Sequence, residues 1–335
     1  MADINHQNLI DLQPTRNWSG ANQELPDAIY IPFLNRKHFL RELLQSLSWY
    51  EKEIFILVSH VNGMSGNTIA CNGKVTILDC SKTSICARIQ RLKTFKSNNP
   101  YNNIKNWDLP LKRNFALVHG FQNSFNCILL IDDDIEKISV SILNKGAATI
   151  KNGKYEISGC LIEGYPDTSV VGHLEILAGV EYVPYLSGSF LFVNPTNVIS
   201  YFPLIYNEDW LFMVPSILKK SICAVNYVHQ RPYDPFDDLS RIKLQEFGEV
   251  VTEGIYELLH RSQIEKRYDE NFWKEYILYR AWYVNKLLKI AEKEHIPFVS
   301  ESLTISRKIR PMDCLKFVRE WEEDINTFNQ IKYEA

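Results

Sequence analysis

An apolar run that ends in three carboxylates is the stretch of this chain whose residue types could do chemistry. The run extends from Cys127 to Ile131 and breaks directly into Asp132, Asp133 and Asp134. Three adjacent acids repel one another, so a divalent cation that neutralises them is the main way to make them tolerable, and carboxylate oxygens suit Mg²⁺ or Mn²⁺. The sequence therefore predicts a metal site that receives a phosphate. The alternative is a solvated acidic turn that caps the next helix.

A second acidic pair, Glu208 and Asp209, stands between Asn207 and Trp210 at the start of an apolar segment predicted to be helical. Acids in the first turn of a helix interact favourably with the positive end of its dipole, so capping explains at least one of the two. Adjacent helical residues point in different directions, and the pair therefore cannot share one role.

The elements that position these acids follow from the apolar pattern. The run before Asp132 predicts a strand buried on both faces of a largely parallel sheet, with the acids at its carboxyl edge, where ligands bind. Apolar runs at 28–32, 53–58 and 75–79 alternate with a helical pattern, which predicts βαβ units and helices on both sheet faces. A helix that starts at Lys112 leads into the carboxylate strand.

Further along, the pattern predicts a helix over 138–150, short strands separated by turns over 151–183, a buried strand over 185–193 and a last strand that ends at His229. From about residue 239 the apolar residues step at helical spacing. We therefore predict three parts: a polar leader over 1–27, an α/β domain over 28–238 and a helical C-terminal appendage over 239–335. The apolar stripes of the appendage indicate packing on the α/β domain or a homo-oligomer contact.

Composition excludes several classes of function. The net charge of −3, from 37 basic and 40 acidic residues, gives no electrostatic footprint for nucleic acid. The 7 cysteines form no CxxC pair, which favours reduced thiols over a disulfide framework. No signal peptide or run long enough to span a bilayer is predicted, so we expect a cytoplasmic protein.

Six short motifs follow one another in an informative order. They are Ile31-Pro32-Phe33-Leu34-Asn35-Arg36, Lys112-Arg113-Asn114, Asp132-Asp133-Asp134, Ser187-Gly188-Ser189, Asn207-Glu208-Asp209-Trp210 and Tyr227-Val228-His229-Gln230. Their order resembles that of A-type (GT-A fold) nucleotide-sugar-dependent glycosyltransferases, most closely the inverting family two, over about residues 28–235. The resemblance implies a Rossmann-like, mainly parallel sheet flanked by helices, and transfer of a sugar from a nucleoside diphosphate sugar to a hydroxyl acceptor of unknown identity.

The resemblance also implies roles for individual residues. Asp132, Asp134 and His229 correspond to ligands of Mn²⁺ or Mg²⁺, which acts as the Lewis acid for the leaving diphosphate. Asp209 corresponds to the base that takes the proton of the acceptor hydroxyl, and Glu208 to its neighbour in acceptor binding. The positions that correspond to donor binding are Pro32, Asn35, Arg36, Lys112, Arg113, Asp132, Asp133, Ser187 and Gly188.

One motif departs from the family pattern. Members usually end the second strand with Asp-Asp-Gly-Ser, whose first acid binds the nucleobase, whereas this chain has no carboxylate over 58–63. Asp79, after the third strand, is the substitute we expect to bind the base. A UDP-sugar remains the commonest expectation from the resemblance.

Alternatives to this function have their own sequence requirements. A haloacid-dehalogenase-like phosphatase needs Thr or Val where this chain has Glu136, and a nucleotidyltransferase expects a Gly-rich basic loop where it has Phe33-Leu34-Asn35. A retaining glycosyltransferase and a non-catalytic sugar- or nucleotide-binding module stay open, since fold alone does not decide function.

Overall fold

The apolar runs form strands of one sheet in a computed structural model of the chain, which describes residues 5–12, 24–59, 74–96 and 107–334. The strands are β1 (Asp11–Leu12), β2 (Ala28–Pro32), β3 (Glu53–Val58), β4 (Lys74–Asp79), β5 (Ile128–Ile131), β6 (Ile135–Glu136), β7 (Ile157–Glu163), β8 (Leu186–Val193) and β9 (Ile222–Gln230). Their order is β1-β9-β7-β8-β5-β2-β3-β4, and the short β6 pairs with β9.

The directions of the strands decide which loops meet. β2 runs parallel to β3 and β5, and β7 runs parallel to β9, whereas β8 is antiparallel to both of its neighbours, β5 and β7. The amino end of β8 therefore lies at the carboxyl edge of the parallel strands. This reversal brings Ser187 and Gly188 beside Asp132, and the predicted mixed, mainly parallel sheet is confirmed.

Helices cover the sheet. They are α1 (Lys37–Ser46), α2 (Ser84–Ile89), α3 (Lys93–Lys96), α4 (Leu109–Gln122), α5 (Val140–Lys151), α6 (Val170–Leu177), α7 (Glu208–Leu218), α8 (Ser240–His260), α9 (Glu270–Ile290), α10 (Ile296–Ser306) and α11 (Pro311–Glu334). Alternate residues of β2 enter two separate apolar clusters, Tyr30 in one and Ile31 in the other. Both faces of the strand are thus buried, which accounts for its unbroken apolar sequence.

The C-terminal helices share the core of the sheet. Phe247 of α8, Trp273 of α9 and Phe317 of α11 belong to the same buried cluster as Tyr30 and Ile128. The predicted helical C-terminal region is confirmed, while the boundary at 238 stays a prediction because this cluster crosses it. Across the described ranges, every helix is too short or too polar to cross a bilayer.

The N-terminal leader also joins the fold. A 3₁₀ turn at His6–Leu9 precedes β1, and β1 pairs in parallel with the edge of β9. The polar composition of the leader gave no sign of this pairing, because a two-residue strand has no period to detect.

The prediction of short strands over 151–183 is wrong. That segment holds one strand of 7 residues, β7, and the helix α6. Ser169 caps α6 by accepting a hydrogen bond from the backbone N–H of Gly172 at 3.1 Å. The two valines that open α6 have a low helix propensity, but they are buried, so packing together with the cap stabilises the helix.

Candidate active site

A buried arginine links the two acidic motifs. Arg113, on α4, donates from Nη2 to both carboxylate oxygens of Asp132 at 3.0 Å and from Nη1 to Oε1 of Glu208 at 2.6 Å. Only 4% of its side chain is exposed. Burial alone would lower the pKa of Arg113, but Asp132 and Glu208 outweigh it and raise that pKa. The guanidinium is therefore a fixed positive charge at the carboxyl edge of β5.

Burial shifts the pKa values of the acids in the opposite direction. It raises the pKa of Glu208 to about 8, against the lowering effect of Arg113. It also raises the pKa of Asp132, and the neighbouring Asp134 adds to that shift. Acids with raised pKa values that are gathered in a cleft are a physical sign of a functional site.

The triple acid is compensated by arginines. Arg36 donates to Asp133 and, from Nη1, to Asp134 Oδ2 at 2.7 Å, while Arg113 holds Asp132. Asp133 and Asp134 are both buried, so the alternative of a solvated acidic turn is wrong. Each of these acids thus has a guanidinium partner, and the binding of a metal by Asp132 and Asp134 stays a prediction.

One oxygen at this turn is left over. Asp134 Oδ1 is buried and has no hydrogen-bond partner among the described residues, and neither has the amide oxygen of Gln230. Gln230 Nε2 lies 3.5 Å from Asp134 Oδ2, so the two side chains are neighbours. The unpaired carboxylate oxygen of Asp134 and the unpaired amide oxygen of its neighbour Gln230 are of the hard type that suits Mg²⁺ or Mn²⁺.

His229 points away from this pair. Successive side chains of a strand alternate between faces, and His229 Nε2 lies 2.9 Å from Oε1 of Glu163. The structure therefore does not bring His229 to Asp132 and Asp134 in this arrangement. Within the described ranges, one trio of potential ligands lies within 4.8 Å of each other, and it is the partly exposed surface group Glu292, Glu294 and His295. The metal role of His229 stays a prediction.

Asp209 is held by the backbone. Its Oδ2 accepts from the N–H of Gly188 at 2.5 Å, and its Oδ1 accepts from the N–H of Trp210 at 2.9 Å. Burial raises its pKa, and Arg113 acts in the opposite direction. The bond to Trp210 matches the expected capping role, while the bond to Gly188 turns the carboxylate towards β8.

The turn before Asp209 is fixed from the C-terminal region. Asn207 has left-handed backbone angles, φ 60° and ψ 37°, and caps no N–H of α7. Its side chain instead donates to Oε1 of Glu249 on α8 at 2.8 Å. Glu249 also accepts from Ser169 at 3.0 Å and from Arg280 at 3.3 Å. This network, which we did not predict, ties the start of α7 to α6, α8 and α9.

A cavity of about 480 Å³ opens beside these groups, and Asp132, Ser187, Gly188 and Asp209 line it. Asp167, which sequence reasoning missed, also lines it and accepts from Ser189 Oγ at 3.2 Å. Burial raises the pKa of Asp167 to about 6. Its signal was its position just beyond a parallel strand, and the wrong assignment of 151–183 concealed it.

Other predicted donor-binding residues lie outside this group. Pro32 is buried at the end of β2, and Asn35 is exposed with a left-handed φ of 66°. Lys112 Nζ donates to the carbonyl of Phe33 at 2.9 Å and pairs with Asp108. Asp79 caps the 3₁₀ turn after β4 by accepting from Ser81 N at 3.0 Å. Their roles towards a donor stay predictions.

The solved structures that resemble this chain include two glycosyltransferases at low sequence identity. One is a mannosyltransferase from Pyrobaculum calidifontis in complex with GDP-Man and Mn²⁺, with a TM-score of 0.46, 10% identity and coverage of 88% of this chain and 90% of that chain. The other is mouse xyloside xylosyltransferase 1 in its apo form, with a TM-score of 0.35, 14% identity and coverage of 57% and 73%. No protein-family model and no curated protein matches the chain. Evidence for any activity therefore comes from the residues of the site.

Proposed function

We propose that this protein is a metal-dependent glycosyltransferase that moves a sugar from a nucleoside diphosphate sugar to a hydroxyl acceptor. The observation that carries the proposal is the meeting of Asp132, Arg113 and Asp209 at one sheet edge, beside a cavity of about 480 Å³. Parallel α/β sheets bind ligands at this edge. The order of the motifs supports a donor of this class, with a UDP-sugar as the first one to test.

Asp209 is the proposed general base. A hydroxyl is a poor nucleophile until a positioned base accepts its proton, and a carboxylate whose pKa is raised by burial is suited to that task. The N–H groups of Gly188 and Trp210 fix its orientation, and each oxygen retains a free lone pair. Because a base that assists direct attack needs one displacement, we propose inversion at the anomeric carbon. Glu208, bonded to Arg113, orients that guanidinium rather than acting as a second base.

Arg113 is the fixed cation of the proposed site. Its guanidinium lies between Asp132 and Glu208, within the low-dielectric interior, where a preorganised charge stabilises developing negative charge strongly. Arg36 holds Asp133 and Asp134 in place and lies beside the turn that a diphosphate would approach.

The metal ligands we propose are Asp134 and Asp132, joined by Gln230. Asp134 Oδ1 and Gln230 Oε1 are the buried oxygens at this turn that lack hydrogen bonds among the described residues. When bound, Mn²⁺ or Mg²⁺ would supply Lewis-acid neutralisation of the diphosphate leaving group. His229 would become a ligand only if its side chain turned towards Asp134, and its pairing with Glu163 through Nε2 would leave Nδ1 to bind the metal.

A donor panel tests the function. Thermal shifts of the full chain with uridine, guanosine, cytidine and thymidine diphosphate sugars, with and without Mn²⁺, should show one donor that raises the melting temperature in the presence of metal. Slow hydrolysis of that donor, followed by NMR, separates an enzyme from a non-catalytic binding module. If no nucleotide sugar shifts the melting temperature and none is hydrolysed, the proposal is wrong.

A further inference from the structure

The cavity extends from the proposed reacting groups to the C-terminal helices. Arg113, Asp132 and Asp209 line one end, and Glu175 of α6 and Tyr283 of α9 line the other. We propose that this cavity binds the acceptor, and that the acceptor is a saccharide that carries no negative charge. The inference rests on the proposed function and adds the chemical class of the acceptor to it.

The wall of the cavity contains many more acidic than basic residues. Among the described residues that line the cavity, two are arginines and eight are acids. The acids are Asp132, Asp167, Glu175, Glu181, Glu208, Asp209, Glu249 and Glu253. A ligand inside the cavity is therefore surrounded by carboxylate oxygens.

Both arginines are already paired with acids. Arg113 is shared between Asp132 and Glu208, and Arg280 donates to Glu246 at 3.1 Å and to Glu249 at 3.3 Å. With eight acids against two arginines among the described lining residues, a uronate, sulfate or phosphate in the cavity would face an excess of acidic groups. Like charges brought together in a partly desolvated site exclude such ligands.

The same wall suits hydroxyl groups. A carboxyl group accepts hydrogen bonds whether or not it is protonated, and every hydroxyl of a sugar is a donor that it can receive. Aromatic residues supply the apolar surface between them, since Tyr185 and Trp210 line the cavity and pack with ring centroids 5.4 Å apart. Convergent polar groups set among aromatic rings are the general make-up of a small-molecule site.

Glu175 is the acid we assign to acceptor binding at the far end. It lies in the cavity wall near Arg280 and Glu253, and it forms a hydrogen bond with the Tyr283 hydroxyl. It is not paired with Arg113, so its effect on the acceptor is separable from the proposed chemistry at Asp209.

A glycan array tests the class of acceptor. The full chain, labelled with a fluorophore and loaded with uridine diphosphate and Mn²⁺, should bind neutral or amine-bearing glycans. It should bind none that end in uronate, sulfate or phosphate. Preferential binding of anionic glycans would overturn the inference. Donor binding without binding of any glycan would also overturn it while leaving the proposed function standing, whereas failure of both donor and glycan overturns both.

Two matched variants test the location. Glu175→Gln keeps the shape of the side chain but removes its charge, so the Kd of the best array glycan should rise roughly tenfold, as expected when a hydrogen bond to a charged group is lost. Glu292→Gln changes an exposed acid outside the cavity and should leave that Kd unchanged. Near-ultraviolet circular dichroism checks that both variants fold. An unchanged Kd in folded Glu175→Gln would place the acceptor elsewhere.

Discussion

Gly188 lies directly against the guanidinium of Arg113, so that a Cβ at position 188 would overlap its Nη1 atom. The absence of a side chain at one position of β8 thus lets a buried cation reach Glu208 and Asp132. The glycine of the Ser-Gly-Ser motif is required by this close approach and does more than ease strand packing.

Gly188→Ala should therefore displace Arg113. Overpacking of a buried site costs about 1–3 kcal/mol, and the loss of the arginine from the acids should also abolish most transfer activity. Urea denaturation and turnover measure the two effects. Gly153→Ala is the control, because a Cβ there meets nothing within 4 Å and adds only the left-handed strain of a φ of 76°. Equal activity in both variants would contradict the role of Gly188.

Glu208 should make the protein less stable as pH rises. Burial raises its folded-state pKa from 4.5 to about 8, so between these values the folded state binds more protons than the unfolded state. The free energy of unfolding then falls as pH increases from about 4.5 to about 8. Glu208→Gln removes this contribution, and urea denaturation at a series of pH values should show the wild type losing stability relative to the variant over that window. A relative gain would show that the pKa is lowered instead.

The sheet was predictable because its strands are buried on both faces. The runs at Ala28–Pro32 and Ile128–Ile131 have no polar interruption, and a short unbroken apolar run is typical of a strand covered on both sides. The segment over 151–183, which contains α6, was not predictable in the same way. Its glycines and prolines suggested turns, while the deciding Ser169 cap depends on a single hydrogen bond.

The residues of the site were predictable from the sequence, but the contacts between their side chains were not. Sequence order pointed to Arg113, Asp132 and Asp209, all of which line the cavity. It could not show that Gln230, rather than His229, faces Asp134, because successive side chains of a strand point to opposite faces of the sheet. Nor could it show the bond from Asn207 to Glu249, since the two residues belong to parts of the chain that we had assigned to different domains.

Gln230 and His229 give a direct test of the metal ligands. With Asp134 as the shared ligand, Gln230→Ala should lower the apparent Mn²⁺ affinity about 10-fold or more, as measured from the thermal shift of the protein with nucleotide and Mn²⁺. His229→Ala should have little effect on that affinity. Titration of Mn²⁺ followed by electron paramagnetic resonance reads metal binding without activity. The reverse ranking would restore His229 as the ligand.

Two substitutions at Asn207 should separate the effect of backbone strain on stability from the effect of losing its hydrogen bond. Both Asn207→Gly and Asn207→Ala lose the bond to Glu249, but only alanine adds the steric cost of a left-handed backbone, about 1–2 kcal/mol. We expect the alanine variant to be the less stable of the two by thermal denaturation, and both to turn over more slowly than the wild type. Equal stabilities would mean that the start of α7 relaxes out of this conformation.

Asp209→Asn, assayed with the donor from the thermal-shift panel and an acceptor from the array, tests the central claim most directly. The variant keeps the shape and, through its single acceptor oxygen, one of the two bonds to Gly188 and Trp210. Donor binding should persist while turnover falls by about 10²–10⁴-fold, as for loss of a general base. Asp167→Asn, the other cavity acid near the reacting groups, should cost much less. NMR of the wild-type product should show an anomer inverted relative to the donor. Near-normal turnover of Asp209→Asn, or an anomer of retained configuration, would contradict the account.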